Sequence, residues 1–143
     1  MKFNLFWYEP KQYARPSSDI AVNGWLPSTG GDLYAMLDET AADDADYIYS
    51  PYDPTTQQAE VRLSSVTDPA VSTGHTLRIR LKAEFQDTNF DLYLVENATV
   101  RDSWTESVTV AEGAVTRSRT FSGAVADSIT DYSNLRVRVV ARE

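Results

Sequence analysis

The sequence predicts an all-β protein, an antiparallel β-sandwich of about eight strands. Short segments in which apolar and polar residues alternate recur along the chain, and each presents one apolar face. Turn-forming pairs such as Asn23-Gly24, Glu112-Gly113 and Ser122-Gly123 separate these segments. One apolar face per strand requires a second layer. This pattern favours a jelly roll over an immunoglobulin topology, with one or two short helical turns and an extended N-terminal arm.

The positions of the strands follow from the alternation. Clear strands are predicted over residues 59–66, 77–85, 89–97 and 135–140, and weaker ones over residues 33–37, 47–49, 100–110 and 114–121. The polar residues 86–89 have the chemistry of a hairpin turn, so we expect the strands on either side of them to pair. Short helical turns are expected after Thr40, where Asp43 follows at a capping-box spacing, and at residues 124–129.

The strands with basic residues at alternate positions leave two interpretations open. Arg78, Arg80 and Lys82 lie on one such strand, and Arg136 and Arg138 lie on another. These side chains form a basic stripe if the two strands are neighbours. The plainer interpretation is a solvated face on which they pair across strands with Glu60, Glu84 or Asp91.

Length and composition limit the classes of function. The chain has 143 residues, which fits one sandwich domain over residues 17–143, preceded by an arm and Pro-flanked linker over residues 1–16. A formal net charge of -8 repels a phosphate backbone, so nucleic acid is not expected as a partner. Cysteine is absent, which excludes disulfides and thiolate chemistry. No window resembles a membrane span or a secretory signal, so no membrane partner is expected.

An acidic turn is the first place to look for chemistry. Asp43, Asp44 and Asp46 are candidate calcium ligands, because a turn that carries several carboxylates can hold a hard cation. Ala45 and Tyr47 interrupt the alternate spacing that an EF-hand loop requires. In the plainer interpretation Asp43 caps a helical turn and the other two face solvent.

Catalysis is not predicted. His75 is the only histidine, and the chain has neither a G-x-S-x-G elbow nor a nucleotide-binding loop. A histidine in a surface loop accounts for it without a catalytic role. Sequence-adjacent acids also do not supply the opposed carboxylates of a glycoside hydrolase. We therefore expect a protein that is not an enzyme, has no catalytic residues and uses no cofactor.

The aromatic residues near turns are candidate contacts with a partner. Trp25 and Tyr52 are the main candidates for stacking on a glycan or contacting another surface, and Tyr34, Tyr47 and Tyr49 also lie near turns. The alternative is that these rings fill the core and its rim, with their polar tips at water.

The N-terminal arm is aromatic on both sides. If it is extended, Phe3, Leu5 and Trp7 face one way and Phe6 and Tyr8 face the other. Residues 10–16 then read as an extended linker, because a proline stands at each end. Either the arm folds back as an edge strand of its own sandwich, or it anchors the protein by adding a strand to a partner or burying its rings in a groove.

Several segments carry a family resemblance that covers residues 15–141. They are RPSSDI, NGW-x-PSTG, LYAMLDE, DDADYIYSP, AEVRLSSVTDP, STGH-x-LRIRLKA and SITDYSNLRVRVVA. With these motifs the chain resembles a family of small β-sandwich proteins of tailed bacteriophages and prophages. The family start lies close to RPSSDI, so the aromatic arm is an addition to it. The resemblance supplies no catalytic residues.

The resemblance implies a structural protein of the virion, assembled in the bacterial cytoplasm. The implied role is that of a capsid decoration or cement protein that binds the phage head and stabilises it through the arm and the strand faces. The expected partners are the major capsid protein or other virion proteins and further copies of the same chain. A tail or fibre component, or a module that binds host-surface glycans, is the alternative.

Overall fold

The computed structural model describes residues 11–142, and within them the chain forms nine strands. The strands are β1 (Pro16–Ala21), β2 (Leu26–Pro27), β3 (Ile48–Tyr49), β4 (Gln58–Leu63), β5 (Thr76–Leu81), β6 (Thr88–Glu96), β7 (Thr99–Val108), β8 (Val115–Thr120) and β9 (Leu135–Arg142). The short helix α1 (Gly123–Ser128) and two 3-10 turns, Tyr34–Met36 and Val110–Glu112, complete the described elements. The predicted all-β class is confirmed.

The strands pair as in a long hairpin that has been rolled up. One sheet has five antiparallel strands in the order β1-β4-β9-β6-β7, and β5 pairs with β8 in a second layer. Strands β6 and β7 therefore form the innermost pair, β5 and β8 the next, and β4 and β9 the outermost. This nested pairing is the scheme of a jelly roll, here with three pairs. Strands β2 and β3 form a separate two-stranded ribbon.

The core lies between these layers and forms two adjoining clusters. In the first cluster, Leu92 of the five-stranded sheet is fully buried and packs with Leu81 of β5 and with Trp25 and Leu33 from the connections. The second cluster lies beside α1, where Leu94 packs with residues that include Phe121 and Tyr132. Apolar strand residues such as Leu81, Leu92 and Leu94 are thus buried between the two layers.

The predicted hairpin between residues 77–85 and 89–97 is wrong. Strand β5 pairs with β8, whereas β6 pairs with β7 and β9, so the polar residues after β5 connect the two layers. Alternation with a period of two selects the buried face of a strand but does not select its partner. The polar composition of residues 86–89 was therefore not sufficient to predict a hairpin there.

Residues 33–37 do not form the predicted strand. They contain the 3-10 turn Tyr34–Met36. The physical reason is the carboxylate of Asp19, which accepts hydrogen bonds from the backbone N–H groups of Leu33 at 2.9 Å and Tyr34 at 2.7 Å. A carboxylate that binds two successive amides fixes a turn and leaves those amides unavailable to a strand partner. The helical turn predicted after Thr40 is also not present, whereas α1 confirms the one predicted near residue 124.

The linker residues within the described range are joined to the domain. Gln12 donates from Nε2 to the carbonyl of Thr67 at 3.0 Å and accepts from the Thr67 N–H at 2.8 Å. Arg15 and Ser64 exchange two further hydrogen bonds. Strand β1, which was not predicted, then begins at Pro16. The arm residues Phe3, Leu5, Phe6, Trp7 and Tyr8 lie outside the described residues.

Candidate functional site

Trp25 is a core residue and not a surface contact. Its side chain is 5% exposed, and its indole N–H donates to the carbonyl of Gln57 at 3.2 Å. The turn before it explains the position, since Asn23 and Gly24 have φ angles of 37° and 83° and the Trp25 N–H bonds back to Val22. This tight turn directs the ring inward. The glycan contact predicted at Trp25 is therefore wrong, and the core interpretation is correct.

The aromatic residues that the structure does expose lie on and beside the β2–β3 ribbon. Leu26 pairs directly with Tyr49, and Tyr47 lies two residues earlier on the same face as Tyr49. All three are exposed, whereas Ile48, which alternates with the tyrosines, packs against the core. Tyr52 follows in the next turn and is 88% exposed. We call Leu26, Tyr47, Tyr49 and Tyr52 the tyrosine ribbon.

Two rings of the tyrosine ribbon stand side by side. The ring centroids of Tyr47 and Tyr49 are 6.2 Å apart, and their planes are tilted by 54°. Two hydrogen bonds hold the backbone of Tyr47, because Ser28 donates its N–H to the Tyr47 carbonyl at 2.8 Å and its side-chain Oγ accepts from the Tyr47 N–H at 3.1 Å. The ribbon therefore presents amphipathic side chains on a fixed backbone, each with a phenolic hydroxyl that is able to form a hydrogen bond.

The acidic turn leads directly into this ribbon. Asp44 forms a two-point pair with Arg80 of β5, at 2.5 Å from Nε and 2.7 Å from Nη2. The hydrogen bond from Arg80 holds the pKa of Asp44 below its usual range. Asp43 accepts from the Ala45 N–H at 2.8 Å and so closes a local turn. Within residues 11–142, Asp43, Asp46 and Asp53 take part in no ion pair.

The structure does not bring the three calcium candidates together as a metal site. Asp44 is directed to Arg80, and Asp43 is directed to its own turn. In the described part of the chain, no three side chains of the types that bind metals are grouped as ligands. Asp43 and Asp44 therefore have partners within the chain, and Asp46 takes part in no ion pair among residues 11–142.

His75 is half-buried and lies against Tyr132. The two side chains are hydrogen bonded, with 2.7 Å between His75 Nε2 and the Tyr132 hydroxyl. Burial raises the pKa of Tyr132, and the nearby acids Asp68, Asp127 and Glu96 add to that effect. Ser72 donates to Asp127 at 2.6 Å. Ser72 and His75 therefore have separate partners, and the contacts join the loop before β5 to α1 and to the α1–β9 connection.

The outer face of the five-stranded sheet carries paired charges. Glu60 is 3% exposed and accepts from Arg138 Nε at 2.6 Å and Arg136 Nη1 at 3.2 Å, which confirms the cross-strand pairing expected for these arginines. Beside this group, Asp91 pairs with Arg142 and accepts from Thr105 at 2.7 Å. A shallow depression of about 270 Å³ lies here, lined by Asp91, Tyr93, Ser103, Trp104, Thr105 and Arg142.

The sequence contained part of the signal for the tyrosine ribbon. Tyr47 and Tyr49 stand near a turn and at the two-residue spacing of a strand, but this spacing does not distinguish an exposed ring from a buried one such as Trp25. Leu26 gave no signal, because a single leucine beside a proline is not distinctive.

In residues 11–142 there is no helix with the length and apolar character needed to cross a bilayer. No protein-family model matches the chain, and no curated protein or solved structure matches it.

Proposed function

We propose that this chain is a non-enzymatic structural protein of a phage particle, most consistent with a decoration or cement protein that binds the head and acts as a homo-oligomer. The single observation that carries the proposal is the tyrosine ribbon, an apolar and aromatic surface on and beside the β2–β3 pair. Its partner is the major capsid protein or another virion protein. The N-terminal arm, described only by its sequence, supplies a second contact.

The distribution of charge supports the ribbon as the contact surface. On the sheet edge and outer face, acids are matched by arginines, as in the pairs Glu60–Arg138, Asp91–Arg142 and Asp102–Arg119. The ribbon instead offers rings and a leucine that have no covering element in the described chain. Tyrosine is enriched at protein interfaces because it buries a large rigid area and retains a polar tip.

A second function, glycan binding on the virion or in a tail fibre, is favoured by a separate observation. Tyr47 and Tyr49 present two rings 6.2 Å apart, and Tyr52 adds a nearly fully exposed ring. Exposed rings of this kind can stack on the flat faces of sugars. Trp25 has no part in this alternative, because its ring is in the core.

Quantitative mass spectrometry of purified particles tests the proposal. A copy number in a simple ratio to the major capsid protein supports decoration of the head. A few copies per particle would assign the chain to the tail or a fibre, and its absence from particles would overturn the proposal. The glycan alternative is tested by binding to host polysaccharide. There, Tyr49→Ala and Tyr52→Ala should each reduce binding, and Phe85→Ala, at an exposed ring outside the ribbon, should not.

A further inference from the structure

We infer that the tyrosine ribbon and the acids beside it form a docking surface for a basic polypeptide, with arginine or lysine side chains of the partner placed over the tyrosine rings. The partner is thus defined by the positive charge of the side chains that contact the ribbon. This inference rests on the proposed function in one respect, which is that the ribbon is the contact surface. Three observations carry it.

The first observation is the exposed set of rings. A guanidinium or ammonium group within about 6 Å of an aromatic centroid is attracted by the ring quadrupole. The chain makes this contact elsewhere, since the Arg138 guanidinium lies 5.7 Å from the Tyr93 ring centroid and that of Arg15 lies 5.5 Å from the Tyr13 centroid. No described cation is placed in this way over Tyr47, Tyr49 or Tyr52.

The second observation is a set of carboxylates that adjoin these tyrosines in the sequence and have no ion-pair partner within residues 11–142. Asp46 immediately precedes Tyr47, and Asp53 immediately follows Tyr52. Neither has an ion-pair partner in the described range, and Asp43 in the same turn has none. These unpaired carboxylates and the net charge of -8 attract a cationic partner from a distance.

The third observation is that the acidic turn already accepts an arginine. Arg80 reaches Asp44 with two parallel hydrogen bonds, at 2.5 Å and 2.7 Å. Asp44 thus shows that a carboxylate of this turn can bind a guanidinium at two points. Because Arg80 occupies Asp44, an arginine of the partner would meet Asp43 or Asp46, neither of which has an ion-pair partner within residues 11–142.

The test measures binding of a labelled peptide of alternating arginine and glycine to the full chain by fluorescence anisotropy, with an alternating glutamine and glycine peptide as the neutral probe. Tyr49→Ser should weaken binding of the arginine peptide about two- to fivefold, and Tyr49→Phe should retain it, because the ring supplies the attraction. Asp46→Asn should weaken it at low salt and have little effect at high salt.

Matched control variants distinguish binding at the tyrosine ribbon from non-specific electrostatic binding elsewhere on the protein. Asp68→Asn removes the same charge from the loop beside Tyr132, and Phe85→Ser removes an exposed ring outside the ribbon. Both should leave the affinity unchanged. Circular dichroism of every variant checks that the fold is retained.

Failure of the full chain to bind the arginine peptide overturns the inference, and so do two results with the variants. One is equal weakening by Asp68→Asn and Asp46→Asn, which would mean that only net charge matters. The other is loss of host oligosaccharide binding in Tyr49→Ser while the affinity for the arginine peptide is unchanged, which would assign the ribbon to glycans. The particle copy number is measured independently. A normal copy number together with failed peptide binding refutes this inference alone, whereas absence from particles refutes the proposed function alone.

Discussion

Glu60 shows how a charged residue can be buried on the outer face of a sheet. It lies between the core residues Ala59 and Val61 in β4, so its side chain points away from the core. Arg136 and Arg138 on β9 cover it and donate to its two carboxylate oxygens. The carboxylate is thus removed from water by the same side chains that neutralise it.

Replacing Glu60 by Gln should lower the free energy of unfolding by about 2–3 kcal/mol, because it leaves two arginines without their counter-charge and weakens two charge-assisted hydrogen bonds. Urea denaturation at neutral pH measures the change. Glu84→Gln is the control, since within residues 11–142 Glu84 pairs only with the exposed Lys82, at 3.3 Å, and the change should alter the stability by less than about 0.5 kcal/mol. Equal stability of Glu60→Gln and wild type would contradict the burial argument.

Trp25 and Tyr52 should respond in opposite ways to truncation. Trp25→Ala should cost about 3–5 kcal/mol, because it opens a cavity in the main core cluster and leaves the Gln57 carbonyl without its donor. Tyr52→Ala removes an exposed ring and should cost less than about 0.5 kcal/mol. Thermal unfolding of the two variants under identical conditions compares them directly. A small effect at Trp25 would be inconsistent with its place in the core.

At the scale of the element, Glu96 joins three parts of the fold. It stands at the end of β6 and accepts from the N–H and hydroxyl of Thr130 at 3.1 Å and 2.7 Å, and from Arg101 of β7 at 2.6 Å. Burial raises the pKa of Glu96, but the hydrogen bonds from Thr130 and Arg101 outweigh burial and hold the pKa below its ordinary value. The carboxylate therefore anchors the α1–β9 connection in its charged form.

The lowered pKa of Glu96 predicts a dependence of stability on pH. A group whose pKa is lower in the folded state contributes stability above its unfolded pKa, and this contribution is lost as the pH falls through the folded pKa. Glu96→Gln should therefore be less stable than wild type at pH 7, and the difference should narrow below about pH 4. Denaturation curves at several pH values measure it. A difference that stayed constant into the acid range would contradict the assignment.

The elements also show which parts of the fold the sequence could specify. Strands such as β4 and β9 were predictable because alternation is set by local residues and survives in any sheet. The partner of β5 was not predictable, because Leu77, Ile79 and Leu81 would face the core equally well beside β6 or β8. The turn at Tyr34 depends on Asp19, a residue far away in sequence, so no local pattern could indicate it.

At the scale of the whole molecule, the arm is expected to determine attachment to the particle. Deleting residues 1–9 leaves the hydrogen bonds of Gln12 and Arg15 to the domain in place. Under the proposed function the truncated chain should fold but no longer bind particles, because it has lost the aromatic anchor. Co-sedimentation with particles that lack the protein measures binding. A second variant keeps the length of the arm but replaces its five aromatic and apolar residues by serine. It should also lose particle binding. Full particle binding by either variant would show that the arm is not required for attachment.

The candidate site was only partly predictable from the sequence, because the exposure of a side chain depends on the whole tertiary structure. Exposure of a ring is decided by the layer that covers it, and this is a property of the tertiary structure. Trp25 and Tyr49 both stand near turns in the sequence, yet one enters the core and the other faces outward. Composition and charge could indicate a protein that binds through its surface, but only the packing identifies which tyrosines form that surface.

The nested pairing has a consequence for the order in which the chain folds. Strands β6 and β7 are joined by a short turn in which Asn97 has a φ of 55°, whereas Glu60 of β4 meets Arg138 of β9 across 78 residues of sequence. Closing so long a loop costs entropy before any contact compensates for it, so folding should be slow and should begin at the β6–β7 hairpin. In stopped-flow experiments, Asn97→Ala should slow refolding, whereas Val139→Ala in β9 should mainly accelerate unfolding. The outermost strands would then be the last to join the native sandwich and the first to leave it.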